Sequence, residues 1–395
     1  MRSTIDKSSD QEHRIMSIPD FILTQGSTSF RKDASLECLD CGSKTPISLQ
    51  FRCCHCDGVQ KVIYPLPEKP FSGSGIGRFA PLLPVITDNW PSEKSPLQPI
   101  KRFPGVWAKN DGLLPTGNTK FRQAAVSTSA FLAGKITHLV VSSTGNSSNS
   151  YCHAANSYAP ELKVEVFVPE THQHRIHKFD KNVNIHVQNC DFVETGDRAK
   201  AFAAAQCLQS DGGFFNPFRR EGLKTAYLEA IEQFIQSNPH PPNFFIQAIS
   251  SGMGVLAAHS AFTEAKKLGW IDEIPAMIGV QQSSCAPIVH AYNKGHEQIE
   301  DGDISRNPTG LAEAILRGNP SASYPYVKRV IESTKGTLVA VSKTELRSSK
   351  KALREEGIQA CYAASATLAG WLRLRSTNHP AVEGSGVIMI TGSTD

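Results

Sequence analysis

With 395 residues, 40% of them hydrophobic, the chain is long enough for two domains around sizeable cores. Its 41 basic and 37 acidic residues leave a formal charge of +4, and the basic residues are scattered, which argues against a nucleic-acid footprint. No apolar run reaches the length of a membrane span, and MRSTIDKSSDQEHR at the start lacks the apolar stretch of a secretory signal, so a soluble, cytoplasmic protein is expected.

In chain order, residues 1–33 are polar and without periodicity, and a mobile arm is expected there. Residues 34–64 hold half of the ten cysteines. Cys38 and Cys41 form one CxxC pair and Cys53 and Cys56 a second. Four thiolates at this spacing suit tetrahedral zinc, and a structural zinc knuckle is the preferred reading. A nucleic-acid ribbon and a knuckle without metal are the alternatives. Residues 65–77, rich in Pro, Gly and Ser, read as a linker or ordered loop.

From there apolar strands alternate with helical patterns. GVWAKND, ITHLVVSS, KVEVFVPE, NVNIHVQN, NFFIQAIS, AMIGVQQ, GTLVAVS and GVIMITG read as strands. TKFRQAAVSTSAFLAG, NSYCHAANSYA, KTAYLEAIEQFI and VLAAHSAFTEAKKLG read as helices, and Ser342 with Glu345 makes a capping box for another. Such alternation predicts an α/β fold of mainly parallel sheets between layers of helices. Ligands of such folds sit at the carboxyl ends of strands.

Several polar turns occupy those ends. Ser250, Ser251, Gly252, Met253 and Gly254 lie between a strand and a helix. A glycine-rich backbone there can aim amides at a phosphate, or be a plain tight turn; it matches neither a P-loop nor a dinucleotide fingerprint. Ser143, Thr144, Asn146, Ser147 and Ser148 crowd another strand–helix junction. One cap needs fewer hydroxyls, whereas a carboxylate site would use them together with amides. Lys120 stands just inside a helix start after Pro-Thr-Gly-Asn, where the dipole disfavours its charge. A lysine there is poorly placed for solubility and well placed to form an imine with an aldehyde cofactor. With a phosphate nest, and a hydroxyl such as Thr391 to face a pyridine nitrogen, these features together specify pyridoxal phosphate.

WAKNDGLLPTGNTKFRQ resembles the cofactor-lysine segment of threonine synthases, and SSTGNSS their asparagine loop. NPFRREGLKT (216–225) resembles a segment beside the substrate phosphate in those enzymes. GIGRFAPLLPV, FFIQAISSGMG and the cysteine knuckle are similar to both threonine and cysteate synthases. The resemblance covers about residues 36–395 in order. It implies a two-domain fold-type II pyridoxal-phosphate enzyme (tryptophan synthase β-like), a three-layer αβα arrangement with the cofactor between domains. The small domain is expected over 117–215, the large one over 65–116 and 216–395, and a homodimer is a family expectation. The resemblance assigns Lys120 as Schiff-base and proton-transfer residue, Asn146 to the cofactor ring, 250–254 to its phosphate and Thr391 to its pyridine nitrogen. Ser143, Thr144 and Ser147 would meet an amino-acid substrate, and Arg219, with Asn216 and Lys224 nearby, would hold a substrate anion. For Arg219 and Arg220 a solvated helix start is an equal alternative.

The implied reaction is loss of a leaving group, phosphate, from an O-phosphorylated amino acid and addition of a nucleophile, through an aminoacrylate- or vinylglycine-type species. The threonine-synthase style uses O-phosphohomoserine and water, the cysteate-synthase style O-phosphoserine and sulfite. Phe121-Arg122 departs from the family's Asp-Arg, and Cys361-Tyr362 from a Glu-Pro element that cysteate synthases also lack in its Glu. These changes point to a specialised pathway variant. A cofactor-binding protein without turnover and a zinc-ribbon interaction module are the readings of another class.

Overall fold

The computed structural model describes residues 28–68, 71–179 and 181–393. Its main sheet has six strands, in spatial order Thr337–Val341, Ala276–Gln282, Phe244–Ala248, Gly386–Ile390, Val106–Asn110 and Leu97–Pro99. All run parallel except Leu97–Pro99 at the edge. The second sheet is parallel throughout, in the order Val183–Gln188, Lys163–Pro169, His138–Ser142 and Gln209–Ser210. The central strand Phe244–Ala248 is buried along its whole length, which is why it reads as an apolar run rather than an alternation.

Helices cover both sheets. They are α1 (Lys120–Ala133), α2 (Asn146–Ser157), α3 (Phe192–Ala205), α4 (Pro217–Ser237), α5 (Met253–Lys267), α6 (Pro287–Asn293), α7 (Tyr324–Ser333), α8 (Lys343–Glu355) and α9 (Tyr362–Ser376). One core lies under α4, α5, α6 and α7 and a second under α8 and α9, on opposite faces of the main sheet. The smaller sheet packs on α1 and α2 through Phe131, Leu139, Val141, Tyr151 and Val166, and on α3 through Val140, Phe167, Ala199 and Ala203. The fold is the expected layered α/β arrangement. The capping box at α8 forms as read, with Ser342 and Glu345 side chains each accepting from the other's backbone amide.

Helix α1 lies between α2 and α4, and its approach to α4 is close enough to require Gly222. A Cβ there would sit 2.1 Å from the Arg122 carbonyl oxygen and 2.9 Å from the Gln123 Cα, so any side chain at 222 would push the two helices apart.

Residues 1–27 of the expected N-terminal arm lie outside the described residues. Its last part is paired rather than free. Ser29–Phe30 forms an antiparallel ladder with Val85–Ile86, and Arg31 bonds Asp33 and donates to the Pro81 carbonyl at 2.7 Å. The knuckle is a three-stranded antiparallel sheet, Lys44–Pro46, Ser35–Cys38 and Gln60–Ile63. It is seated on the main body through Asp40, which bonds Tyr326 and Arg329 of α7. Arg220 of α4 adds a bond to the Gln60 carbonyl.

Candidate active site

The carboxyl ends of the main strands converge on one loop. The bridge between Asn118 and Gly392, and the bond from Thr119 N–H to the Thr391 carbonyl at 2.9 Å, fasten the segment before α1 to the end of Gly386–Ile390. Asn118, which sequence reading did not single out, organises the turn. Its Oδ1 accepts from the Lys120 amide at 3.0 Å, and its Nδ2 donates to the Thr116 carbonyl at 2.6 Å and reaches the Asn146 Oδ1 at 3.5 Å. An Asn two residues before a helix is the local signal that could have found it. Lys120, Asn146 and Thr391 are therefore brought together. The turn 250–254 follows the strand beside Gly386–Ile390 at the same edge of the sheet.

The Asn118 carboxamide accepts from the first amide of α1, whereas the helix starts of α2 and α5 have no side-chain cap at their N-cap residues Gly145 and Gly252. Their first-turn amides present partial positive charge. Gly252 holds a left-handed conformation at φ 81°, and a Cβ there would sit 2.1 Å from Val327; only glycine lets the chain turn so tightly into α5.

Lys120 is half-buried, and its Nζ has no hydrogen-bond acceptor among the described residues. Loss of water around it, then the positive charge of Arg219, lower its pKa from 10.5 to about 8, against the opposing pull of Asp211. Lys109 is likewise lowered to about 8, by burial first, with Glu229 opposing. Its ammonium, however, is fully enclosed and donates to the Ser95 carbonyl, Glu229 and Gln233. Lys120 is thus the lysine free to react.

Arg219 lies on the side of this lysine. It pairs with Asp211 and donates to Gln123 Oε1 at 2.9 and 3.2 Å and to Ser147 Oγ at 3.2 Å. Gln123 is three residues from Lys120, on the same face of α1. Arg219 and Arg220 are buried, which removes the solvated-helix alternative. Ser143 Oγ accepts from the Gly145 amide at 3.2 Å, and Ser143, Thr144 and Ser147 are half-buried around Gly145.

Two expected substrate residues are engaged in bonds within the fold. Asn216 is fully buried and caps α4, its Oδ1 accepting from the Phe218 amide at 2.9 Å and the Arg219 amide at 3.4 Å. Lys224 is fully enclosed between Glu221, Glu264, Tyr64 and the Leu82 carbonyl. The five-residue step from Arg219 turns it about 140° around the helix axis, so it holds α4 against α5 and does not reach the anion side.

The residues present fit pyridoxal phosphate. An unbonded, low-pKa amine, an asparagine, a tight glycine turn at an uncapped helix start and a terminal-strand hydroxyl share one edge. Nearby, the buried Gln123 Nε2 and Ser148 Oγ have no partner among the described residues, as expected of a site built to receive a polar group. At the knuckle, Cys38, Cys41, Cys53 and Cys56 bring their sulfurs within 4.8 Å of one another, and Cys54 and His55 stand outside the group.

Residues 91–392 match the family described as Pyridoxal-phosphate dependent enzyme, and the chain belongs to that family. It is a pyridoxal-phosphate enzyme of fold type II. It is 27% identical to the threonine synthase of Methanosarcina acetivorans over 86% of each chain. It is 25% identical to the cysteate synthase of Methanococcoides burtonii over 73% of this chain and 69% of that one. The fold resembles that of threonine synthase from Escherichia coli, with a TM-score of 0.63 at 16% identity over 91% of this chain and 88% of that chain. No helix among the described residues is long and apolar enough to cross a membrane.

The lowered pKa makes the neutral amine of Lys120 half-populated near pH 8 instead of 10.5. The rate at which the cofactor-free protein captures pyridoxal phosphate should rise with pH and level off above about 8. A midpoint near that of ordinary lysine would contradict the environment described here.

Proposed function

We propose that this enzyme eliminates phosphate from an O-phosphorylated amino acid and adds a nucleophile in its place, in the manner of threonine synthases. The observation that carries the reading is the free Lys120 amine, set between the uncapped helix starts and the Arg219–Asp211 pair. Both relatives named above are synthases of amino acids, which supports the same class.

Bound pyridoxal phosphate supplies an electron sink for a carbanion at the substrate α carbon. Residues 250–254 would hold its phosphate ester, Asn146 its ring and Thr391 its ring nitrogen. The chain's own part is to move protons and orient the amino acid. Lys120, half neutral near pH 8 and increasingly neutral above it, can accept the α proton and return it after the leaving group departs. Ser143, Thr144, Ser147 and the first amides of α2 can bind the α-carboxylate. Arg219 is matched in charge by Asp211 and already donates to Asp211, Gln123 and Ser147, so it would meet a leaving phosphate through its one remaining N–H and by orienting Ser147.

A second reading, replacement of phosphate in O-phosphoserine by sulfite, is favoured by Cys361. Its amide donates to the Gly392 carbonyl at 3.0 Å, and its sulfur caps α9 by accepting from the Ala364 amide at 3.3 Å. It thereby stands next to the Asn118–Gly392 bridge, where the resemblance leads one to expect Glu.

Phosphate release should be measured from O-phosphohomoserine, O-phosphoserine and O-phosphothreonine, each with and without sulfite. The cofactor-loaded enzyme is expected to turn over at least one of them and Lys120→Ala none. A loaded enzyme that releases phosphate from no member of the panel would contradict the reading.

The four clustered cysteines are proposed to hold a structural zinc that fixes the knuckle on α7. Metal analysis should find about one zinc per chain, lost in the Cys38→Ser/Cys53→Ser variant. A metal-free wild-type protein with four reduced thiols would rule it out.

A further inference from the structure

The loop after strand Lys163–Pro169 places an arginine over the asparagine loop. Gly145 precedes Asn146 with φ 144°. A Cβ on it would lie 3.3 Å from the Cβ of Arg175 and 3.7 Å from its Nε. Asn149, one turn into α2, clamps that loop from both sides. Its Nδ2 donates to the Arg175 carbonyl at 2.9 Å, and its Oδ1 accepts from the His177 amide at 3.0 Å. The position of Arg175 is therefore set by α2 itself, not by chance at the surface.

The one ion-pair partner of its guanidinium among the described residues is Glu313, at 3.3 Å. Glu313 belongs to a short turn, Glu313–Ile315, in the chain between α6 and α7. Its side chain is 62% exposed, whereas that of Arg175 is 15% exposed. A pair with one partner so exposed contributes little and exchanges readily. His172, in the same loop, has its pKa lowered by burial and then by Arg175, so it remains neutral near pH 7 and does not compete as a cation.

Resting on the proposed function, we infer that Arg175 is a specificity-determining residue: it pairs with the α-carboxylate of the amino-acid substrate on the asparagine loop, displacing the carboxylate of Glu313. One carboxylate replaces another, so the charge around the guanidinium is conserved through binding. The loop's amides and hydroxyls are neutral donors, and Arg175 adds the fixed positive charge they lack. The selectivity implied is for substrates with a free α-carboxylate over amides or decarboxylated amines.

The test uses the cofactor-loaded enzyme and the change in cofactor absorbance when an amino acid binds, with L-serine and L-serinamide as probes. Arg175→Ala should weaken L-serine binding by about ten- to a hundredfold, the range of a charge-assisted hydrogen bond, and leave L-serinamide unchanged. Arg175→Lys should restore part of the loss. Glu313→Gln, which removes the competing carboxylate, should bind L-serine at least as tightly as wild type. Equal L-serine affinity in wild type and Arg175→Ala overturns this inference alone, as does an equal loss for both probes. A wild-type protein that takes up no pyridoxal phosphate overturns the proposed function and the inference with it.

Discussion

Four buried charges anchor the site. Lys109, at the end of strand Val106–Asn110, Asp111 beside it, Arg122 of α1 and Glu229 of α4 form a cluster of two cations and two anions, almost wholly shut off from water. Burial alone would push the Asp111 and Glu229 carboxyls up, yet the adjacent Arg122 and Lys109 hold both below the usual carboxylate range. Ser95 completes the cluster, donating to Asp111 at 2.6 Å and accepting from Arg122 at 3.0 Å. Removing one member of such a set strands its partners, at a cost of about 3–5 kcal/mol. Arg122 is two residues from Lys120, so the cluster fixes the start of α1 against the main sheet and α4. Lys120 is held by charges that do not themselves bond its amine.

That arrangement gives Lys120 and Lys109, with similar depressed pKa values, different surroundings. Lys109 donates to three acceptors and balances carboxylates. Lys120 stands at a helix start where its charge is disfavoured by the dipole and by Arg219, with no acceptor for its protons among the described residues. The surroundings of Lys109 complete its hydrogen bonding; those of Lys120, among the described residues, do not.

Much of this was legible in the chain. The strand–helix alternation, the lysine after Pro-Thr-Gly-Asn and the paired CxxC spacing each have a local physical cause, and each stands where it was read. What was not legible comes from burial in the third dimension. Helix α4 is surrounded over most of its length, so its buried Arg219, Arg220, Glu221, Lys224 and Glu229 break the amphipathic pattern that separates core from surface. The resemblance of NPFRREGLKT groups Lys224 with Arg219, and the helical turn separates them. Helix α3 escaped notice because it is only partly buried, with Phe192 and Val193 exposed. Gln123, Asp211 and Arg175 carry no motif; Gln123 lies on α1 itself, and only the folding of distant segments brings Asp211 and Arg175 against α1 and α2.

One particular amine, that of Lys120, is proposed to carry the cofactor. The most direct measurement is borohydride reduction of the cofactor-loaded protein, followed by digestion and mass-spectrometric mapping of the pyridoxyl-modified peptide. The modification is predicted on the peptide that contains Lys120. Its appearance on Lys109, Lys224 or another lysine instead, or on none, would contradict the account.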